Sequence, residues 1–120
     1  TIFACQSQSQ EGAASSESQN DVSYQDVSVT EFKNLMEGEN VIVLDVRTPP
    51  ETAKGKIEGA MELDYRSPDF SEKVGELDKE KTYLIYCRSG GRSSNACKIM
   101  AKEGFKKLYN LEGGYTAWSK

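Results

Sequence analysis

The 120-residue chain contains no histidine, and this absence excludes several kinds of catalytic and metal site at once. Cys–His pairs, Ser–His–Asp triads and His-ligated metals all require an imidazole. Only three cysteines occur, Cys5, Cys87 and Cys97, and their spacing matches no zinc-binding pattern. We therefore expect no metal and no other cofactor. An activated thiol in this chain must rely on backbone donors, a helix terminus or arginine.

Long apolar runs and an excess of positive charge are also missing. No run approaches the roughly 20 apolar residues of a membrane-spanning helix. The net charge is -4, from 15 lysines and arginines against 19 acidic residues, and no basic stripe interrupts this balance. We therefore expect no nucleic-acid partner. The length predicts a single domain, and a monomer is the default expectation.

Residues 1–23 contain few apolar side chains, too few to offset the entropy lost on ordering, and they predict a disordered tether. Within it, Ile2-Phe3-Ala4-Cys5 resembles the end of a bacterial lipoprotein signal, where a small residue precedes a cysteine that becomes lipidated. The resemblance implies a lipid on Cys5 and a periplasmic, membrane-anchored protein that touches the membrane only through that lipid. The alternative is an incidental cysteine in a cytoplasmic protein.

The folded part, residues 24–120, alternates short apolar strands with helices. Continuous apolar runs at residues 41–44 and 83–86 are typical of strands buried on both faces of a parallel sheet. Shorter strands are predicted at residues 27–29, 60–63 and 108–110. This alternation predicts an α/β fold, a three-layer sandwich with a mostly parallel central sheet of about five short strands flanked by helices.

Helix starts are predicted from polar residues that precede apolar periodicity. Thr30 is expected to cap a first helix over residues 31–36, and Ser67 with Pro68 is expected to open a later one. Residues 94–103 have helical spacing, which places Cys97 on an apolar face. We therefore expect Cys97 to be a buried core residue.

The most informative segment begins at Cys87, directly after the predicted strand over residues 83–86. Six residues lead from it into the helix: Arg88, Ser89, Gly90, Gly91, Arg92 and Ser93. A glycine-rich turn before a helix N-terminus aims several backbone N–H groups at one point, with the positive end of the helix dipole behind them. Such surroundings lower the pKa of a thiol and make it nucleophilic. Cys87 is therefore the candidate catalytic residue.

Each polar side chain of this loop has two possible roles. Arg88 and Arg92 are candidate binders of an anionic donor or its leaving group, and the alternative for Arg88 is a charge that only faces solvent. Arg92, as the last arginine of the loop, is alternatively expected to tie the loop to a carboxylate. Ser89 and Ser93 are expected to bond the loop backbone, and a helix cap by Ser93 or Ser94 is the preferred alternative.

Asp45 ends the other central strand, and ligands of parallel sheets bind beyond the carboxyl ends of the strands. The pattern therefore places Asp45 on the same rim as Cys87. Asp45 is expected either to orient the reactive loop by hydrogen bonds or to cap the helix that starts after Thr48. Arg47 is expected to pair with Glu51, four residues further on. Asp45 and Arg47 are thus candidate supports of the loop.

Four segments, in this order, resemble the single-domain rhodanese family of thiosulfate-type sulfurtransferases. They are Leu-Asp-Val-Arg-Thr-Pro at 44–49, Gly-Lys-Ile-Glu-Gly-Ala at 55–60, Tyr-Cys-Arg-Ser-Gly-Gly-Arg-Ser at 86–93 and Leu-Glu-Gly-Gly-Tyr-Thr-Ala-Trp at 111–118. The resemblance covers residues 27–118. It implies a rhodanese-like fold, a Cys87 that holds sulfane sulfur as a persulfide, and a persulfide cradle from Arg88 to Arg92. The implied partners are a small anionic donor such as thiosulfate and a thiol or cyanide acceptor.

Loop length separates this chemistry from that of a related phosphatase family, which uses Cys, five residues and then Arg. Here Ser93 stands at that position and Arg92 comes one residue early. By resemblance, the shorter loop fits sulfur rather than phosphate. The alternatives to an enzyme are a partner-specific sulfur carrier and a noncatalytic binding module. A redox role would need a resolving cysteine, and none is evident beside Cys87.

Overall fold

The computed structural model of the chain describes residues 24–120, and its centre is a single five-stranded sheet. The strands are β1 (Gln25–Val27), β2 (Val41–Asp45), β3 (Met61–Glu62), β4 (Thr82–Tyr86) and β5 (Lys107–Leu111). Their order in the sheet is β1-β5-β4-β2-β3, and every neighbouring pair is parallel. All strands therefore end at one edge. The predicted tether over residues 1–23 and the predicted lipid on Cys5 lie outside the described residues.

Helices cover both faces of this sheet, which confirms the predicted α/β sandwich. They are α1 (Val29–Leu35), α2 (Pro49–Thr52), α3 (Phe70–Gly75), α4 (Gly91–Lys102) and α5 (Gly114–Trp118). No helix within residues 24–120 has the length and apolarity needed to cross a membrane.

The core consists of two apolar clusters, one on each face of the sheet. The first contains residues of α3 and α4, including Cys97, together with Tyr83 and Ile85 of β4. The second contains Leu84 and Tyr86 of β4 and side chains of α1 and α5. Successive residues of a strand point to opposite faces, so a strand buried on both sides is apolar throughout. This explains the continuous apolar run that ends at Cys87.

The first helix starts before Thr30, so the predicted cap was wrong. Ser28 is the N-cap: its Oγ accepts the Glu31 N–H at 3.2 Å, and Glu31 Oε1 accepts the Ser28 N–H at 3.4 Å. This reciprocal capping box satisfies two N–H groups that would otherwise lack partners. Residue Thr30 consequently lies inside α1, and the strand before it ends at Val27.

The helix after Cys87 also starts earlier than periodicity predicts, at Gly91 rather than Ser94. Its N-cap is Gly90, whose φ of 110° lies in the left-handed region that glycine adopts without steric cost. Gly90 turns the chain sharply, and its carbonyl then accepts the Ser94 N–H at 3.0 Å. Ser93 and Ser94 therefore lie inside the first turn, and neither is the predicted cap.

Candidate active site

Cys87 directly follows β4, at the sheet edge where all strands end, and only 1% of its surface is exposed. Its Sγ accepts the Gly90 N–H at 3.1 Å, and the Ser93 hydroxyl oxygen lies 3.4 Å from it. Because α4 starts at Gly91, the loop and the first turn of the helix wrap the sulfur. The positive end of the helix dipole consequently faces Cys87.

These surroundings lower the pKa of Cys87 below the ordinary thiol value. Burial, the largest single influence, acts in the opposite direction because it disfavours the charged thiolate. Hydrogen bonds from the Ser93 side chain and from the backbone N–H groups of Ser93, Gly90 and Ser89 together outweigh burial. The thiolate is the nucleophilic form, so this loop favours a reactive sulfur.

The second thiol in the described part of the chain has the opposite character. Cys97 is completely buried in the first apolar cluster, and this burial raises its pKa far above the ordinary value. Cys87 and Cys97 are both free, so no disulfide joins them. Cys97 is therefore a core residue and Cys87 the candidate nucleophile.

Arg92 binds a carboxylate through both of its terminal nitrogens. Its Nη1 and Nη2 donate to the two carboxylate oxygens of Glu51, each at 2.8 Å. Glu51 Oε1 also accepts the Thr48 N–H at 3.0 Å. The Arg92 hydrogen bonds hold the pKa of Glu51 well below its usual range. Arg92 was expected either to bind an anionic donor or to tie the loop to a carboxylate. The structure shows the second arrangement, in which Arg92 of α4 binds Glu51 of α2.

The predicted Arg47–Glu51 pair is not formed, because Arg47 binds Asp45 instead. Asp45 has no exposed surface and Arg47 has 5%. Arg47 Nη2 lies 2.7 Å from Asp45 Oδ2, and Arg47 Nε lies 3.0 Å from Oδ1. Tyr86 Oη donates to Asp45 Oδ2 at 2.6 Å and accepts the Ile57 N–H at 3.0 Å. Asp45 therefore neither contacts the reactive loop nor caps α2.

Arg47 also contacts Tyr115, and Tyr115 in turn contacts the loop after Cys87. Its guanidinium lies 4.4 Å from the centre of the Tyr115 ring, and Nη2 donates to the Gly55 carbonyl at 2.7 Å. The backbone N–H of Tyr115 donates to the carbonyl of Cys87 at 2.8 Å. Tyr115 therefore packs between the pair and the loop.

Helix α5 holds the beginning of the loop through a close backbone contact that sequence reasoning missed. Besides Tyr115, the Thr116 N–H donates to the Arg88 carbonyl at 3.1 Å. Gly114 has a φ of 57°, and a Cβ at this position would lie 2.5 Å from the Cys87 carbonyl oxygen. Only glycine permits this approach. The Gly113-Gly114 pair is the sequence signal that points to it.

Arg88 is exposed and lies at the side of an open pocket of about 380 Å³ beside the loop. Arg47 and Lys54 also line the pocket, together with Glu51. The carboxylate of Glu51 is already bound by Arg92, so the unpaired charge at the pocket is positive. Lys54 was not predicted, because nothing in its local sequence links it to Cys87. Such a pocket suits a small anion.

On the other side of the loop, Ser93 contacts Asn110, and Asn110 contacts Asp26. Sequence reasoning missed both of these residues. Ser93 is completely buried, and its Oγ lies 2.5 Å from Oδ1 of Asn110, which is 4% exposed. Asn110 Nδ2 donates to Asp26 Oδ1 at 2.9 Å. Ser89 and Gly90 line an open depression with Asp26 on this side. The pairing of β1 with β5 brings these residues together, and no local pattern predicts it.

Within residues 24–120, no group of three or more cysteine and carboxylate side chains is arranged to bind a metal ion.

A family model described as a rhodanese-like domain matches residues 28–120, most of the chain. The chain belongs to the rhodanese-like family. A sulfurtransferase of Allochromatium vinosum is 36% identical over 88 residues, covering 73% of this chain and 80% of that protein. Thiosulfate sulfurtransferase GlpE of Shewanella oneidensis is 28% identical over 96 residues, covering 80% of this chain and 93% of that protein.

A crystal structure of a rhodanese-like domain protein from Staphylococcus aureus superposes with a TM-score of 0.69 at 32% identity, covering 78% of this chain and 90% of that one. The family resemblance and the fold inferred from the four sequence segments are confirmed. This rhodanese-like domain is thus a member of a sulfurtransferase family.

Proposed function

We propose that this rhodanese-like domain transfers sulfane sulfur from thiosulfate, or a related anionic donor, to a thiol or cyanide acceptor through a persulfide on Cys87. One observation carries the proposal: the buried Cys87 sulfur faces N–H donors of its own loop and the start of α4. This cradle stabilises an anionic sulfur, whether thiolate or persulfide.

In the first half-reaction, the Cys87 thiolate attacks the outer sulfur of thiosulfate. A new S–S bond forms at Cys87 while the S–S bond of the donor breaks, and sulfite leaves with the bonding electron pair. The persulfide anion then occupies the cradle formed by the N–H groups of Ser89, Gly90 and Ser93. No proton is needed, because nucleophile, leaving group and product are all anions. This agrees with a site that has no general acid beside the sulfur.

The pocket beside Arg88 supports an anionic donor. Arg88 and Lys54 line it, while the charges of Arg47 and Glu51 are neutralised by Asp45 and Arg92. A doubly charged anion is attracted to such a pocket even though the chain carries a net charge of -4. We assign to Arg88 the role of attracting the donor and holding it near the loop. Arg88 directly precedes Ser89, whose N–H belongs to the cradle.

In the second half-reaction, a thiolate or cyanide attacks the outer sulfur of the persulfide. The S–S bond breaks, the acceptor leaves as a persulfide or as thiocyanate, and the Cys87 thiolate is restored. Since donor and acceptor react in separate steps at one sulfur, the kinetics are expected to be ping-pong.

The direct test is the intact mass of the reduced protein after incubation with thiosulfate. We expect a gain of one sulfur atom that a thiol reductant or cyanide reverses, and peptide mapping should locate it on Cys87. Cys87→Ser should abolish the gain. Cys97→Ala is the matched control, since it removes another thiol of the same domain and should leave sulfur loading intact.

Failure of reduced Cys87 to gain sulfur from thiosulfate, in a folded protein, would overturn the thiosulfate sulfurtransferase assignment. Loading from a persulfidated protein but not from thiosulfate would identify a partner-specific sulfur carrier instead. Absence of loading from either source would indicate a noncatalytic binding module.

A further inference from the structure

A row of hydrogen-bonding side chains runs from the Cys87 sulfur, after β4, to Asp26 on the edge strand β1. Ser93 Oγ lies 3.4 Å from Cys87 Sγ and 2.5 Å from Asn110 Oδ1, and Asn110 Nδ2 lies 2.9 Å from Asp26 Oδ1. Ser93 and Asn110 are buried, whereas Asp26 is exposed on β1. The row connects the reactive sulfur to a carboxylate that the reaction itself does not use.

The Asn110 amide can adopt only one orientation while Asp26 is a carboxylate. Its two neighbours on the Nδ2 side, Asp26 Oδ1 at 2.9 Å and the Gly90 carbonyl at 3.5 Å, both only accept hydrogen bonds. A rotated amide would place Oδ1 against these acceptors. Asn110 Oδ1 is therefore directed at Ser93, where it must accept.

The Ser93 hydroxyl has a single proton, and the contacts above give it competing acceptors. Asn110 Oδ1 lies at 2.5 Å, whereas Cys87 Sγ lies at 3.4 Å and the Gly90 carbonyl at 3.2 Å. When the proton lies toward Asn110, a lone pair of Ser93 faces the sulfur. To stabilise a thiolate, Ser93 must give up its bond to Asn110 and donate to the sulfur instead. Asn110 therefore weakens the support that Ser93 gives the thiolate.

We propose that Asn110, held by Asp26, is a positioning residue that draws the Ser93 proton away from Cys87 and so sets how readily the thiolate forms. Loss of the Asp26 carboxylate removes the shorter of the two contacts that fix the amide and leaves only the Gly90 carbonyl at 3.5 Å. The amide can then rotate, so that Nδ2 donates to Ser93. Ser93 is then free to donate to the sulfur. The thiolate gains a hydrogen bond, and charge-assisted bonds of this kind are among the stronger ones in proteins.

Other charged and titratable groups also surround the sulfur, and the test must separate their effects from that of the row. They are Arg88, Arg92 and Cys97 on the loop and α4, Glu51 on α2, the Asp45–Arg47 pair after β2, and Tyr115 on α5. All of them stay unchanged in the variants compared below. A purely Coulombic effect of the Asp26 charge on Cys87 does not depend on the Ser93 hydroxyl, whereas an effect through the row requires it. Removing Ser93 therefore separates these two effects.

The experiment is the pH dependence of Cys87 alkylation by iodoacetamide, resolved by peptide mass so that other cysteines do not contribute. Asp26→Ala is expected to lower the apparent pKa of Cys87 by about one pH unit, the size of one hydrogen bond to a charged group. Ser93→Ala is expected to raise it. In a Ser93→Ala background, adding Asp26→Ala should produce no further shift.

Glu112→Gln is the matched control, because Glu112 is an exposed carboxylate that lines the same depression as Asp26 but makes no contact with the row. It should leave the alkylation profile unchanged. An equal shift from Asp26→Ala with and without Ser93 would overturn the proposal in favour of a through-space charge effect. No shift in the single Asp26→Ala variant would also overturn it.

If Ser93→Ala does not fold, Asn110→Ser replaces it in the cycle, because the shorter side chain separates Asp26 from Ser93. The shift caused by Asp26→Ala should then vanish in the Asn110→Ser background, and its persistence would contradict the proposal. The proposed role of Asn110 rests on the proposed function, because both concern the Cys87 thiolate. Alkylation needs no sulfur donor, so it can succeed where sulfur transfer fails, and the two failures are distinguishable.

Discussion

Ser93 and Arg92 are adjacent in the chain and yet act on different parts of the site. Both lie in the first turn of α4, where neighbouring side chains point in different directions around the helix axis. Ser93 consequently faces the Cys87 sulfur and the sheet, whereas Arg92 faces α2 and binds Glu51. The chemistry of the loop and its attachment to the fold are therefore separated within a single helical turn.

The Arg92–Glu51 pair leads to a prediction about acid stability. Glu51→Gln is expected to lower the free energy of unfolding by about 1 kcal/mol at neutral pH, as for a well-aligned, partly exposed ion pair. Arg92 depresses the pKa of Glu51 in the folded state. The stabilisation is therefore present above the unfolded-state pKa of about 4.3 and is lost as pH falls toward the folded value.

Chemical denaturation of wild type and Glu51→Gln across this pH range measures the effect. The difference in unfolding free energy should shrink steadily below about pH 4. Lys106 and Glu80 form a solvent-exposed pair elsewhere, so Glu80→Gln is a suitable comparison with a smaller expected change. A Glu51→Gln difference that stays constant into acid would show that the pair does not stabilise the fold.

At the level of the elements, the start of α5 is what fixes the first half of the reactive loop. The helix presents the Tyr115 and Thr116 N–H groups to the carbonyls of Cys87 and Arg88. This requires Gly114 to pack directly against the loop backbone with a left-handed φ. A short helix at the end of the chain thus positions a cysteine at the end of β4.

Gly114→Ala should therefore destabilise the protein by more than about 2 kcal/mol, since the added methyl meets backbone atoms rather than a flexible side chain. The variant should also slow Cys87 alkylation at neutral pH, because the loop must move away from its hydrogen-bonded arrangement. Thermal or chemical denaturation and the alkylation rate measure the two effects.

Gly75→Ala is the control, because a Cβ at Gly75 meets no atom within 4 Å. Its effect on stability should stay within about 1 kcal/mol, the usual range for such a change at a helix end. Equal tolerance of alanine at positions 75 and 114 would contradict the role assigned to α5.

For the molecule as a whole, charge is distributed unevenly around the site. The chain has a net charge of -4, yet Lys54 and Arg88 line the pocket on one side of Cys87, where Arg47 is neutralised by Asp45. Asp26 and Glu112 line the depression on the other side. An anionic donor is therefore attracted to one side of the loop and repelled from the other.

This asymmetry predicts the response of sulfur transfer to salt and to charge removal. With thiosulfate as donor, kcat/KM should fall as ionic strength rises, because salt screens the pocket. Lys54→Gln should raise KM for thiosulfate about threefold with little change in kcat, the effect expected for one exposed charge several Å from the anion. Lys102→Gln, at the far end of α4, should leave both unchanged. Equal effects of the two substitutions would contradict steering by the pocket.

Much of the fold and part of the site follow from local sequence. The apolar runs of β2 and β4 predict buried parallel strands because both of their faces are covered. Thr48 and the two prolines after it predict the start of α2, and the glycine-rich segment after Cys87 predicts a turn into a helix. The observed N-caps, Ser28 and Gly90, differ from the predicted ones because a capping box and a left-handed glycine outweigh apolar periodicity.

The partners of the charged side chains follow only from the tertiary structure. Four-residue spacing pairs Arg47 with Glu51, but α2 starts only at Pro49, so Arg47 lies outside the helix. Arg47 binds Asp45 instead, and Glu51 binds the distant Arg92. Asn110 reaches Ser93 because β5 lies beside β4 in the sheet. The sequence by itself determined most of the elements and the position of the candidate nucleophile, because these depend on periodicity and turn residues. Strand order decided which side chains surround that thiol, because contacts across a sheet join residues with no local relation in the chain.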